Sequence, residues 1–179
     1  MRVAVFGGSF NPPHVCHAMV AGWLRWTDRA DEVWLLPTYV HPFDKALAPF
    51  AARLAMCEAL AEAVGSWVKV CPIEQSLEVP SYTIDTLRAL EVRHPEHRFR
   101  LVVGADVLDQ VQDWKQWDRI EQDYTPIRVG RAGYPVPPGA VEFPALSSTR
   151  VRSALAAGQA VDHLVPAPVL PLLGEWYAG

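Results

Sequence analysis

His14 and His17 stand three residues apart, directly after the run Gly7-Gly8-Ser9-Phe10-Asn11-Pro12-Pro13. Two imidazoles near the start of a helix can donate hydrogen bonds to phosphoryl oxygens as negative charge builds on them in a transition state. The preceding residues suit the same purpose. Gly7 and Gly8 allow close backbone approach, while Pro12 and Pro13 pre-set the turn and the first helical residue without wasting an N–H. Where a strand passes through such a loop into a helix, free amide groups and the positive end of the helix dipole converge on one point. Phosphate chemistry is therefore the reading this stretch supports. Zinc ligation is the rival, but HExxH is absent and no third ligand stands at a suitable spacing. A histidine on a helix is also commonly a satisfied core or surface residue, an alternative that the pattern alone leaves open for either ring. The chain has neither GxGxxG nor GxxxxGK[ST], so the phosphate site is not of the usual dinucleotide or P-loop type.

The elements that must position these residues follow from the apolar pattern. Arg2 to Phe6 reads as a strand buried on both faces, and a helix follows from about Pro13 to Thr27. Glu32 to Pro37 is a second strand, and the proline-punctuated loop Thr38 to Pro49 after it carries His41, Asp44 and Lys45. Phe50 to Val64 has helical spacing, with Cys57 on its core face. Trp67 to Cys71 is a third strand, and Pro80-Ser81-Tyr82-Thr83 then supplies turn and N-cap chemistry for a helix faced by Ile84, Leu87 and Leu90. Phe99 to Val103 is a fourth strand, running into Gly104-Ala105-Asp106 and a further helical run. Pro126 to Gly130 is a short fifth strand, with a Gly- and Pro-rich loop and an edge strand near Val141 to Phe143 beyond it. Ser147-Ser148-Thr149 offers capping hydroxyls for a helix closed by Gly158, and a last helix follows Pro166. This alternation predicts an α/β protein with a doubly wound parallel sheet and right-handed crossovers, its ligand loops at the carboxyl ends of the strands. The strand order cannot be read from the pattern.

Composition sets the outer bounds. The 179 residues suit one domain, half of them apolar and a fifth charged. A net charge of −4 argues against a general affinity for nucleic acid or anionic membrane. Cys16, Cys57 and Cys71 are scattered without a CxxC spacing, and no stretch approaches the roughly 20 apolar residues of a membrane span. With no signal-like segment at the start, the expectation is a cytoplasmic protein.

Several motifs in register carry a more specific likeness. Gly7-Gly-Ser-Phe-Asn-Pro-Pro-His-Val-Cys-His17 resembles the HxGH-containing signature of nucleotidyltransferases, and Ser147-Ser-Thr-Arg-Val-Arg152 resembles their second signature, SSTxxR. With Pro80-Ser-Tyr-Thr83, Gly104-Ala-Asp106 and Trp114 with Trp117, the set resembles the bacterial nicotinate-nucleotide adenylyltransferases over residues 3 to 152. That resemblance implies a three-layer α/β/α, Rossmann-like nucleotidyltransferase fold and the conversion of nicotinate mononucleotide and ATP to nicotinate adenine dinucleotide and pyrophosphate. It implies that His14 and His17, with backbone amides around Gly7, Gly8, Ser9 and Phe10, hold ATP and its reacting α-phosphoryl group. Ser148, Thr149 and Arg152 would take the departing phosphates, with Lys45 as a helper. Asn11, Tyr82, Thr83 and Trp114 would recognise the mononucleotide, and Asp106 would accept a ribose hydroxyl. Mg²⁺ would arrive bound to ATP, with no metal held by the protein itself.

The likeness has two departures. Cys16 stands where the signature has glycine, adding a side chain near the phosphate path. The loop after the second strand reads His41-Pro-Phe-Asp-Lys45 where the family commonly has Pro-Pro-His-Lys. Related readings are a pantetheine-phosphate adenylyltransferase, a cytidylyltransferase, or a non-catalytic nucleotide-binding module on the same fold. The choice between nicotinate and nicotinamide mononucleotide, and the oligomeric state, are not legible in these residues.

Overall fold

The computed structural model describes residues 1–40 and 47–177. Six parallel strands form one sheet: β1 (Arg2–Gly8), β2 (Glu32–Pro37), β3 (Val68–Val70), β4 (Arg98–Gly104), β5 (Ile127–Arg131) and β6 (Glu142–Phe143). Their order is β3-β2-β1-β4-β5-β6. The chain therefore winds outward from β1 to one edge, returns to the centre, and winds outward again to the other. Between β1 and β4 the connections diverge, and at such a switch point a crevice opens outside the carboxyl ends of the strands. Register brings those ends level: Gly8 of β1 pairs with Pro37 of β2, and Gly104 of β4 with Val129 of β5.

Side-chain alternation along the strands divides the core in two. Ala4, Val33, Leu35, Val102 and Val129 face a layer made by α1 (Val15–Trp26), α2 (Phe50–Val64), α5 (Ser148–Ala156) and α6 (Leu170–Tyr177). Val3, Val5, Trp34, Leu36, Leu101 and Val103 face α3 (Thr83–Arg93) and α4 (Trp117–Tyr124) on the other side. Leu24, Leu35, Leu60 and Leu87 have no exposed surface at all. Truncating such a residue to alanine costs about 2–5 kcal/mol, because a close-packed interior relaxes only partly around the cavity.

The expected elements all occur, with instructive shifts. β2 and α2 have the bounds read from the sequence. α1 starts at Val15, so His14 is its N-cap residue and lies outside the helical face it was expected to share with His17. The single helical run expected after Asp106 is two 3-10 turns, Ala105–Val107 and Val111–Asp113, before α4 begins at Trp117. Ser81 and Thr83 do not cap α3. Its N-cap is Tyr82, whose carbonyl accepts from Asp85 and Thr86 N–H (2.9 and 3.0 Å) while its side chain makes no capping bond. Ser147, by contrast, caps α5 as its type predicts, its Oγ accepting from Arg150 N–H at 3.1 Å. Gly158, at φ +66°, ends that helix in the left-handed conformation that glycine adopts at no steric cost.

Candidate active site

A cleft of about 310 Å³ opens at the carboxyl ends of β1, β4 and β5. Ser9, Phe10, Asn11, His14 and His17 line it from the β1–α1 junction, Asp106 and Arg131 from the ends of β4 and β5, and Ser147, Ser148, Thr149 and Arg152 from the start of α5. The two nucleotidyltransferase signatures, far apart in the chain, thus meet across one space. A larger hollow of about 390 Å³ lies between Trp117, Ala105 and the loop Pro135–Pro138, but it has no histidine, and its Arg128 is paired with its own Glu121. The chemistry belongs to the smaller cleft.

The two imidazoles lie stacked, with centroids 3.8 Å apart and planes 23° from parallel. His14 N–H donates to His17 Nδ1 at 3.0 Å, and His17 N–H donates to the His14 carbonyl at 2.9 Å. Because His17 Nδ1 is an acceptor, the neutral His17 ring carries its proton on Nε2. Among the described residues His14 Nδ1 is buried without a hydrogen-bond partner, so a proton there would be stranded and the edge of this ring toward the cleft is again Nε2–H. Burial, reinforced by the nearby Arg131 cation, pushes the His14 pKa down to about 4. Burial also holds His17 well below its ordinary value, with His14 and then Arg131 adding to the effect. Both rings are neutral hydrogen-bond donors at pH 7. Phe10 packs edge-on against His17, with centroids 4.8 Å apart, and fixes that ring from behind.

The start of α5 is stapled to the same loop. Ser148 Oγ donates to the Pro12 carbonyl at 2.8 Å, and Arg152 donates to the Asn11 carbonyl at 2.7 Å and to Thr149 Oγ1 at 3.3 Å. Asn11 is buried, with its Oδ1 accepting from Ala48 N–H at 3.0 Å and from the Tyr177 hydroxyl. Its other groups line the cleft.

Among the glycines, a Cβ on Gly8 would meet the Phe10 ring at 3.4 Å, whereas one on Gly7 would meet nothing within 4 Å. Packing therefore does not demand glycine at Gly7. At Gly104 a Cβ would lie 2.5 Å from Asp106 Oδ1, so a side chain there would push the Asp106 carboxylate from its place.

Not every expected residue reaches this cleft. Gly7 and Gly8, which end β1, do not line it, and neither do Tyr82, Thr83 and Trp114. The latter three lie on the α3–α4 side, where Lys115 Nζ sits 4.9 Å above the Tyr82 ring and bonds Asp85 at 2.7 Å, and Trp114 meets buried Trp117 edge-on. Lys45 lies outside the described residues. Conversely, Arg131 was missed. It bonds Asp106 and the Leu146 carbonyl (3.0 Å), so it braces the floor of the cleft and lends it positive charge. The available signal was a basic residue at the end of a strand, where ligand loops begin.

A cytidylyltransferase-like family model matches residues 5–154. A protein of Anaeromyxobacter sp. (strain K) named "Probable nicotinate-nucleotide adenylyltransferase" is 48% identical, covering 97% of this chain and 94% of its own length. The chain belongs to this adenylyltransferase family. A Myxococcus xanthus protein of the same name is 44% identical over 98% of this chain and 93% of its own. In fold, the chain matches Plasmodium falciparum nicotinic acid mononucleotide adenylyltransferase complexed with NaAD, with a TM-score of 0.80 at 18% identity, covering 97% and 95% of the two chains.

Within the nicotinate-nucleotide adenylyltransferase family, Cys16 is this chain's departure in the first signature. Its side chain does not line the cleft: it is buried in the core, and Sγ donates to the Pro144 carbonyl at 3.6 Å. The phosphate path stays clear of it, and burial pushes the thiol pKa up. Nucleotidyltransferases generally use a divalent metal ion. Asp106 is the cleft's one carboxylate among the described residues, and Arg131 already engages it. That donor set suits an ion carried in on substrate phosphates. Elsewhere among the described residues, His94, Glu96 and His97 lie close together at the amino end of β4. Their imidazole planes are parallel within 5° and their centroids 5.8 Å apart, so one ion would not lie in the plane of both rings. Glu96 Oε1 lies 3.2 Å from His97 Nε2 there.

Proposed function

We propose that this chain transfers the adenylyl group of MgATP to nicotinate mononucleotide, giving nicotinate adenine dinucleotide and pyrophosphate, as a single domain acting in the cytoplasm. The observation that carries this reading is the meeting of two anion-binding helix starts, at His14–His17 and at Ser147–Arg152, across one cleft. A phosphate oxygen of the mononucleotide attacks the α-phosphorus, that P–O bond forms, and the bond to the α,β-bridging oxygen breaks with its electron pair leaving on pyrophosphate. The attacking phosphate is anionic at neutral pH, so no general base is needed, and catalysis is positioning plus charge stabilisation. The Nε2–H groups of His14 and His17 and the amides of Gly7, Gly8, Ser9 and Phe10 hold the α-phosphoryl oxygens. Ser148, Thr149 and Arg152, helped by Lys45, take the β and γ phosphates, and Mg²⁺ travels with ATP as part of the substrate. Asn11 recognises the mononucleotide and Asp106 accepts a ribose hydroxyl; Tyr82, Thr83 and Trp114, which do not line the cleft, would contact only the part of the mononucleotide that extends out of it on the α3–α4 side.

The test is pyrophosphate release from MgATP with nicotinate mononucleotide, nicotinamide mononucleotide or phosphopantetheine as acceptor. A clear preference for a pyridine mononucleotide is expected. Turnover with phosphopantetheine alone would overturn the assignment, and ATP binding without any product would leave only a nucleotide-binding module.

A further inference from the structure

Arg53 lies on α2 and is 1% exposed, with no carboxylate within ion-pair distance among the described residues. A buried guanidinium left unpaired is costly, so its position calls for a physical reason. Its contacts supply one. Arg53 Nη1 donates to the Ser9 carbonyl at 2.9 Å, Nε donates to the Ala48 carbonyl at 3.0 Å, and the guanidinium carbon lies 5.4 Å from the centre of the Phe50 ring. The buried cation therefore bonds two loop carbonyls, and one of them belongs to the phosphate-binding turn.

In a trans peptide the carbonyl and the N–H point to opposite sides. The Ser9–Phe10 peptide is trans, and its carbonyl is drawn toward α2, so the Phe10 N–H is turned the other way. That amide donates to no described residue, and both Ser9 and Phe10 line the cleft. Phe10 itself is held at φ +45°, a left-handed conformation that is strained for a non-glycine residue. Turns containing a left-handed residue direct successive N–H groups into one anion-binding concavity. A cation on the carbonyl also polarises the peptide and strengthens its N–H as a donor.

We propose that Arg53 is a positioning residue that sets the Ser9–Phe10 peptide so that the Phe10 amide is presented to the ATP phosphates. The proposal rests on the phosphate-transfer reading of the cleft. Arg53 also fastens Ala48, whose N–H bonds Asn11, so one side chain brings the end of the β2–α2 loop against the β1–α1 turn.

The test compares Arg53→Lys, which keeps the charge but has no planar fork to bond both carbonyls, with Arg53→Met, which keeps only the stem. Protein labelled with ¹⁵N-phenylalanine is titrated with pyrophosphate. The Phe10 amide proton is expected to move downfield in the unsubstituted protein and to respond far less in either variant. Kinetically, kcat/KM for MgATP falls by about 10²-fold, as for misplacement of a transition-state donor, while KM for the mononucleotide stays within about twofold. An equal Phe10 response in Arg53→Lys, or equal losses for both substrates, overturns the role of Arg53. No response in the unsubstituted protein instead overturns the phosphate reading of the turn. Should neither variant fold, the Arg53 Nη1–H resonance of the unsubstituted protein decides: it shifts on pyrophosphate addition if the Ser9–Phe10 peptide whose carbonyl it bonds takes the anion at its N–H, and a fixed resonance refutes the coupling.

Discussion

At the scale of residues, protonation is set by burial. His14 and His17 have their Nδ1 edges turned inward and their pKa values lowered, so at pH 7 they face the cleft as neutral donors. The folded protein leaves His14 unprotonated down to about pH 4, whereas an unfolded histidine takes its proton near 6.5. Between those values the unfolded state binds more protons, and the folded state loses stability as pH falls. Full stability from this source is present above pH 6.5. Calorimetric unfolding near pH 5, in buffers of different ionisation enthalpy, should show uptake of about one to two more protons by this protein than by a His14→Gln/His17→Gln variant. Equal uptake would mean that the rings are not held neutral. Asp31, whose pKa the Arg2 guanidinium lowers to about 2, acts with the same sign but in a more acidic window.

At the scale of elements, α5 is the mobile half of a clamp only if its start can leave the β1–α1 loop, and the contacts argue against that. Ser148 and Arg152 tie it to the carbonyls of Pro12 and Asn11. Arg152 thus holds the helix start in place, and in the proposed reaction it would also lend positive charge to the leaving pyrophosphate. Arg152→Met should lower kcat/KM for MgATP by about 10²- to 10³-fold. Arg152→Lys should recover only part of that, since a point charge cannot reproduce a planar fork that bonds Asn11 and Thr149 together. Full activity in the lysine variant would show that charge alone suffices.

At the scale of the whole molecule, the two core layers share one sheet, and β1 at its centre contributes Ala4 to one layer and Val3 and Val5 to the other. Loss of either layer exposes the same strand, so unfolding should be cooperative. We expect tryptophan fluorescence and far-ultraviolet circular dichroism to give coincident denaturant midpoints. Two separated transitions would divide the chain into independent units. The same shared sheet holds the cleft: β1 carries the first signature, and β4 and β5 carry Asp106 and Arg131.

Local chemistry by itself determined the alternation of strands and helices, the glycine and proline turn after β1, the Ser147 cap, the closure at Gly158 and the two signatures that name the family. Each depends on neighbours within a few residues, through apolar period, turn preference or capping, and such signals survive in one dimension. Only the tertiary structure decided the strand order, the pairing of Arg131 with Asp106 and the buried seat of Arg53, because these join residues from different elements. The same holds for Cys16, whose direction into the core rather than toward phosphate depends on the rotation of α1 against the loop at Pro144. His14 shows the boundary most clearly. Its type and spacing marked it for phosphate, but its place as N-cap, its stacking on His17 and its neutral charge came from burial that the sequence does not display.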